Sequence, residues 1–334
     1  MVALKRDAAD IRAFLKELEQ QDWLRGFGTT LVAEIPFHYT DLRNAVAILR
    51  DGCLYCRGQA EQSGRLLVSS GSSTVLAGTA DDIKACVRLY FRPQTPTQYH
   101  AEGIRSSSSL ASSRYPDAHC PVPVFLLFDL AALLTRADCR FSDGGLNSAH
   151  ARRMATSQEL RDLPWKKIYH NGPFDPHSAE ESDIGFRRNA EVTVPGCLDL
   201  TILRYVYCRS VAEKETLLHL LPPELRGKYE PITAATTSSI LFFRKHTFIE
   251  SATLSSTKLL FRFSPDTLSP GPFRARSEIV PPGGQRLRYQ EDSFSAKGTL
   301  RLSLRAPVSQ YSVSLYLDDN LAYSNSYRET DSLF

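Results

Sequence analysis

Three polar side chains stand apart by the company they keep. Glu191 follows the basic pair Arg187-Arg188 and opens an apolar run, Val192 to Val194. Arg88 precedes Leu89-Tyr90-Phe91, with Pro93 and Pro96 just beyond. His38 closes a strand-like stretch beside Tyr39 and Thr40. A carboxylate can steady a developing cation, and an imidazole can donate or accept a hydrogen bond. A guanidinium titrates above about pH 12, so it can neutralise an anion but cannot shed its proton in water. Taken singly, each residue also has a plain reading: a solvent-facing strand glutamate, a core histidine among aromatics, an arginine in a surface ion pair. Type and spacing alone do not make them catalytic.

Cys53-Leu54-Tyr55-Cys56 is the one CxxC motif, and no second pair follows at zinc-site spacing. On a strand its two thiols point to opposite faces and cannot share a metal, so no metal site is expected. Seven cysteines, an odd number, fit a reducing compartment better than a disulfide framework.

The elements that must position these residues follow from periodicity and turn chemistry. Ile11, Phe14, Leu15 and Leu18 repeat at helical spacing over Asp7 to Leu24, so an amphipathic helix is expected there. Gly26 to Thr30 breaks that pattern, and Leu31 to Tyr39 is strand-like. Thr40 is placed to cap a helix carrying Leu42, Val46 and Leu49 on one face and ended by Gly52. Gly58 to Ala80 and the serine-rich Arg105 to Arg114 read as loops, the first of them mobile. Pro123 to Phe128 reads as a buried strand, with Asp129 capping the helix that follows. Val192–Val194 and Leu203–Tyr207 read as closing strands of a mixed or antiparallel sheet, and a helix from Val211 to Leu221 stops at Pro222-Pro223. Beyond Tyr229 come β-type runs at Ile240–Phe243, Lys258–Phe263, Thr299–Leu304 and Tyr311–Leu317. The expectation is an α+β chain in three parts: a helical extension (1–30), a sheet-centred domain with flanking helices (31–222) and a β-rich C-terminal domain (229–334).

The 334 residues are 42% hydrophobic and 10% aromatic, enough to fill a substantial core. With 40 basic and 37 acidic residues the net charge is only +3, so a nucleic-acid partner must be held by local patches. Candidates are Arg105 with Arg114, Arg136 with Arg140, Arg152-Arg153, Lys166-Lys167 and Arg187-Arg188, although a basic doublet is more often a solvated face. No run approaches the roughly 20 apolar residues that span a bilayer, and the N-terminus lacks a secretory h-region. No membrane association and a cytoplasmic location are expected.

Read in order, three segments resemble the DarT family of DNA ADP-ribosyltransferases. They are His38-Tyr39-Thr40-Asp41-Leu42-Arg43-Asn44 with Ile48 and Gly52, then Arg88-Leu89-Tyr90-Phe91-Arg92-Pro93-Gln94-Thr95-Pro96, then Arg188-Asn189-Ala190-Glu191-Val192. Ser142-Asp143-Gly144-Gly145 and Trp165 to Tyr169 are weaker links between them. The resemblance covers most of residues 35 to 210. It departs from the family pattern at Thr97 (methionine in the family), at Asn189 (glutamine) and at Asp-Gly-Gly (Asp-Gly-Asn), and the last leaves base specificity open.

The resemblance implies an ADP-ribosyltransferase-like core with NAD+ as co-substrate and no metal. It assigns Glu191 and Arg88 to catalysis, and His38, Tyr39, Thr40, Asn44, Ile48 and Arg88 to holding NAD+. Tyr90, Phe91, Tyr99 and Arg188 are candidate contacts to the acceptor, because a base stacked on an aromatic ring is worth about 1–3 kcal/mol. Breaking the nicotinamide glycosidic bond leaves an oxocarbenium-like ribose, which a carboxylate stabilises without a metal. The implied acceptor is guanine or thymine in single-stranded DNA, the implied role a toxin or anti-phage effector, and the implied partner an antitoxin with ADP-ribosyl hydrolase activity. An acceptor in RNA or protein, or an inactive module that binds NAD+ or nucleic acid, are the alternative readings.

Overall fold

A six-residue run without a polar side chain, Pro123–Phe128, is buried along its whole length. Such a run suits a strand covered on both faces, and it sits inside the main sheet. The computed structural model describes residues 2–25 and 35–329. The expected break at 26–30 and the first four residues of the expected strand from Leu31 lie outside the described residues.

In chain order the strands of the first 235 residues are β1 (Phe37–Asp41), β2 (Cys53–Tyr55), β3 (Cys86–Tyr90), β4 (Pro123–Phe128), β5 (Arg140–Ser142), β6 (Arg153–Met154), β7 (Glu191–Pro195), β8 (Cys197–Asp199), β9 (Leu203–Cys208) and β10 (Thr233–Ala235). Eight of them form one sheet in the order β10-β9-β4-β1-β3-β7-β5-β6, while β2 and β8 pair as a separate ribbon. The β9–β10 pairing is parallel and the others are antiparallel, so the sheet is mixed and the α+β expectation holds. The two expected closing strands, β7 and β9, are on opposite sides of β1, because β7 pairs with β3 and β5 whereas β9 pairs with β4 and β10.

Helix α1 (Ala8–Glu19) buries Ile11, Phe14, Leu15 and Leu18, as its periodicity requires. It ends sooner than expected, and a separate turn of helix covers Asp22–Arg25. Helix α2 (Leu42–Asp51) ends at Gly52, whose φ of +68° is the left-handed terminator that glycine adopts freely. Its N-cap is Asp41 and not Thr40: the Asp41 carboxylate accepts from the Arg43 N–H at 3.0 Å, while Thr40 is still paired in β1 with Val124. Thr40 instead accepts from Asn44 Nδ2 at 3.2 Å, one helical turn on.

Two expected loops are more structured than their composition suggests. Residues 57–80 contain helices Arg57–Gln62 and Ser73–Ala77, and the serine run forms helix Ser107–Ala111, in which Ser106 accepts from the Ser109 N–H. Serine disfavours helix interiors but caps well, and capping prevails here. Helix α3 (Pro96–Ala101) starts with proline at its first position, where no N–H is needed. Helix α4 (Val211–Leu220) stops before Pro222, but Pro223 opens another helix, Pro223–Tyr229, for the same reason.

Beyond β10, strands Ile249–Leu254, Lys258–Phe263 and Thr299–Ser303 make a three-stranded sheet. Leu287–Phe294, Phe273–Val280, Gln310–Leu317 and Asn320–Arg328 make a four-stranded one. Ile240–Phe243 is not a strand: Leu241 and Phe242 leave the ladder and bury against Phe37, Phe125 and Leu127 on the central sheet. One apolar cluster runs from Ile11 through Leu126 and Leu217 to Tyr323. Polar ties join the parts as well: Ser210 Oγ donates to the Ile249 carbonyl, and the Ser324 N–H donates to Thr216 Oγ1.

Candidate active site

Three adjacent strands, β1, β3 and β7, bring His38, Arg88 and Glu191 together from positions far apart in sequence. Register sets Tyr90 opposite Glu191 across β3 and β7, two residues from Arg88, while His38 follows Phe37, which stands opposite Tyr90 across β1 and β3. The three side chains line one cavity of about 830 Å³. That size lies toward the upper end of ordinary small-molecule sites.

Glu191 has none of its surface exposed, and its carboxylate accepts three hydrogen bonds, one of them on Oε2. Arg88 grips it bidentately, with Nε at 2.5 Å from Oε2 and Nη2 at 2.6 Å from Oε1. The Leu146 N–H donates to Oε1 at 3.0 Å, and the Glu191 N–H donates to Ser142 Oγ at 3.0 Å. Burial by itself would lower the Arg88 pKa, but the Glu191 carboxylate outweighs it and holds the guanidinium above its ordinary value. Arg88 is therefore a permanent cation, a quarter exposed to the cavity side.

His38 Nδ1 lies 3.2 Å from the Arg88 carbonyl oxygen. A carbonyl only accepts, so Nδ1 carries the proton and Nε2 is left as an acceptor. Burial holds the imidazole neutral, lowering its pKa to about 4.

The remaining expected NAD+ contacts, Tyr39, Thr40, Asn44 and Ile48, all line the same cavity. Asn44 spends its amide internally. Its Oδ1 accepts from the Leu67 and Val68 N–H groups at 2.9 and 3.0 Å, and its Nδ2 donates to the Val68 carbonyl at 2.8 Å. It thus pins the 66–68 segment over the cavity and is a positioning residue.

Of the expected acceptor contacts, Tyr90, Tyr99 and Arg188 line the cavity. Phe91 does not. It lies just past the end of β3 and is fully buried, with its ring 5.2 Å from that of Trp165.

Ser142 and Leu146 carry the strongest contacts that residue type alone missed. Ser142 opens the Ser-Asp-Gly-Gly segment and Leu146 follows it, and the turn between them is built around its glycines: a Cβ on Gly144 would lie 2.1 Å from Phe186 Cζ. Asp143 in the same loop is buried and ion-paired to Arg187 at 2.8 Å and Arg152 at 2.9 Å.

Most of the basic doublets are likewise spent internally. Arg136 pairs with Asp138, Arg153 with Asp82, and Lys167 with Asp183, while Arg105 is buried and donates to the Ala118 carbonyl. Arg114 and Arg188 are the two of this set that line the cavity. Among the described residues no group of three or more His, Cys, Asp or Glu could hold a metal ion, and no helix is long and apolar enough to cross a membrane.

Comparison with known proteins places this geometry. No curated protein matches in sequence. Among solved structures, Thermus sp. 2.9 DarT in complex with ADP-ribosylated ssDNA is 18% identical, covering 63% of this chain and 96% of that one with a TM-score of 0.48. The same protein in complex with NAD+ is 17% identical over 61% and 95%, with a TM-score of 0.44. The assignment rests on the family model described as ssDNA thymidine ADP-ribosyltransferase, DarT, which matches residues 37–237, more than half of the chain and a span that includes His38, Arg88 and Glu191. The chain belongs to the DarT family of single-stranded-DNA ADP-ribosyltransferases.

Proposed function

We propose that this chain transfers ADP-ribose from NAD+ to guanine or thymine in single-stranded DNA and releases nicotinamide, with Glu191 and Arg88 as its catalytic residues. The observation that carries the proposal is the bidentate Arg88–Glu191 pair, sunk in a cavity with a neutral His38 beside it. A buried carboxylate fixed by two hydrogen-bond donors besides Arg88's second nitrogen needs no reorganisation as positive charge develops next to it.

In this reading Glu191 accepts from a ribose hydroxyl and stabilises the cation that forms as the C1′–nitrogen bond breaks. The bonding electrons leave with nicotinamide. A nitrogen of the base then bonds to C1′ and gives up its proton to solvent. His38 Nε2 accepts from the dinucleotide, with Thr40 and Tyr39 beside it and Ile48 as an apolar wall. Arg88 stays charged throughout, so it acts by electrostatics on the diphosphate or the acceptor base and not as a proton acceptor. Extra-helical bases of a single strand reach such a cavity without the few kcal/mol needed to unstack a duplex.

Residues 31–222 form the transferase unit of this proposal, residues 229–334 the β-rich unit. The physiological role is that of a cytoplasmic toxin or anti-phage effector, neutralised by an antitoxin with ADP-ribosyl hydrolase activity. Incubation with NAD+ and a set of oligonucleotides, each lacking one base, tests the acceptor: the one set that stays unmodified identifies the base. Label on RNA or protein with none on any DNA would overturn the DNA reading.

A further inference from the structure

One wall of the cavity comes from beyond the family match. Phe243 lines it, although the matched segment ends at residue 237. This segment is clamped to helix α3. The buried Glu102 carboxylate accepts from the Phe243 N–H at 3.1 Å and the Arg244 N–H at 2.8 Å. Gln98 Nε2 donates to the Leu241 carbonyl at 2.8 Å, and Arg244 Nη1 donates to the Arg209 carbonyl at 2.6 Å.

The clamp sets three rings and two cations at the rim. Tyr99 is edge-on to Phe243 at 5.2 Å and to His100 at 5.4 Å between centroids, and Lys245 Nζ sits 3.5 Å from the Tyr99 centroid. Tyr99 nevertheless keeps 44% of its surface exposed. Arg114 lies at the same end of the cavity, against Tyr115, whose ring is 5.0 Å from that of His100. Neither Lys245 nor Arg114 has a carboxylate partner among the described residues, unlike most arginines of this chain. Burial and the nearby Arg114, Arg105 and Lys245 charges hold His100 below its ordinary pKa.

An exposed tyrosine ring and a half-buried phenylalanine ring beside cations without carboxylate partners, fixed before any ligand arrives, are what a single strand of nucleic acid uses: bases stack and phosphates neutralise. We propose that Tyr99, Phe243, Lys245 and Arg114 form a second subsite that holds a nucleotide flanking the reacting one in single-stranded DNA, completed by the segment after residue 237. The inference rests on the DNA reading above. It adds that the C-terminal part supplies part of the acceptor grip and is not a passive extension of the sheet.

The test is anisotropy of a fluorescein-labelled mixed-sequence single-stranded oligonucleotide with the full chain. Phe243→Ala weakens binding about tenfold, the loss of one stacked base. Lys245→Gln weakens binding and lowers the salt dependence by about one phosphate contact. Lys297→Gln, which removes an exposed charge elsewhere, leaves both unchanged. Unfolding midpoints check folding, and Phe243→Leu, which keeps the bulk but not the aromatic face, replaces Phe243→Ala if that variant does not fold. Unchanged oligonucleotide affinity in the Phe243 and Lys245 variants overturns the subsite, as does a wild-type chain that binds no oligonucleotide. A loss of NAD+ affinity with DNA affinity intact assigns this end to the dinucleotide and also overturns it. Transfer by the wild-type chain, measured separately, reports the catalytic reading, so the two can fail independently.

Discussion

The central sheet and the C-terminal sheets handle charge in opposite ways. Around the central sheet, Asp41, Arg92, Glu102, Arg105, Asp143, Glu191, Arg209 and Glu213 are all buried. In the two later sheets no charged residue is buried, and the buried polar residues from 264 onward are Ser264, Ser269, Ser277 and Ser324. Strand Phe273–Val280 alternates strictly, its buried positions being Phe273, Ala275, Ser277 and Ile279, as a half-solvated antiparallel strand should. Burying a charge costs several kcal/mol unless it is paired, so a fold does so where something is gained. Here the gain is a fixed electrostatic field at Glu191 and, at Glu102, a fixed seat for the cavity wall.

That contrast can be broken at several points, which differ in what they damage. The largest effect is expected at the carboxylate itself. Glu191→Gln keeps the shape and removes the charge, and nicotinamide release should slow roughly 10³-fold, about 4 kcal/mol of transition-state stabilisation, in a steady-state assay. The fold should survive, because Arg88 can reach solvent.

Next comes Arg209→Leu. Its guanidinium is wholly buried and ion-paired with Glu213, with Glu102 also close, at 3.9 Å. Leaving those carboxylates unpaired should cost about 3–4 kcal/mol in a denaturant titration, a loss of stability and not of chemistry.

Gly144→Ala forces Phe186 aside and with it the loop that carries the Leu146 N–H. About 1–3 kcal/mol of stability and at least a several-fold drop in transfer are expected, read by unfolding midpoint and rate together.

Acid should act on the same side of the comparison. His38, His119 and His246 are each held neutral by burial, with pKa values lowered to about 4 from 6.5. The unfolded chain takes up these protons first. Their contribution to stability is therefore full above pH 6.5 and is lost as pH falls toward 4, which a pH series of unfolding midpoints will show. The smallest effect is expected in the three-stranded sheet, where Arg262 is exposed on Lys258–Phe263, and Arg262→Ala should shift stability by less than about 0.5 kcal/mol.

What was legible in the chain follows the same division. The strand Pro123–Phe128, the Gly52 terminator and the strands Lys258–Phe263, Thr299–Ser303 and Gln310–Leu317 could be read because local pattern and tertiary burial agree there, whereas Phe273–Val280, Leu287–Phe294 and Asn320–Arg328 carry apolar residues too interrupted by polar ones to stand out. The Gly/Ser-rich stretches have loop composition, and the order they adopt depends on distant residues: Asp117 accepts from the Ser73 N–H at a helix start, and Asn44 holds Leu67 and Val68 between the two helices. Thr40 is a good capping residue, but β1 extends one residue further and hands that role to Asp41. At the site, the order of motifs points to His38, Arg88 and Glu191, and adjacent strands with the Arg88–Glu191 pair and the His38–Arg88 contact unite them. Phe91, next to the cavity-lining Tyr90, turns into the core just past the end of β3. Phe243 and Lys245 carried no local sign at all, since their position depends on a carboxylate 141 residues away from Phe243.

The central claim is that the buried carboxylate at β7 drives ADP-ribose transfer to DNA. Mass spectrometry of one single-stranded oligonucleotide after incubation with NAD+ and either wild-type chain or Glu191→Gln tests it most directly. The account predicts oligonucleotide heavier by one ADP-ribose with the wild-type chain and unmodified oligonucleotide with the variant. Equal modification by both, or none by the wild-type chain, would contradict it.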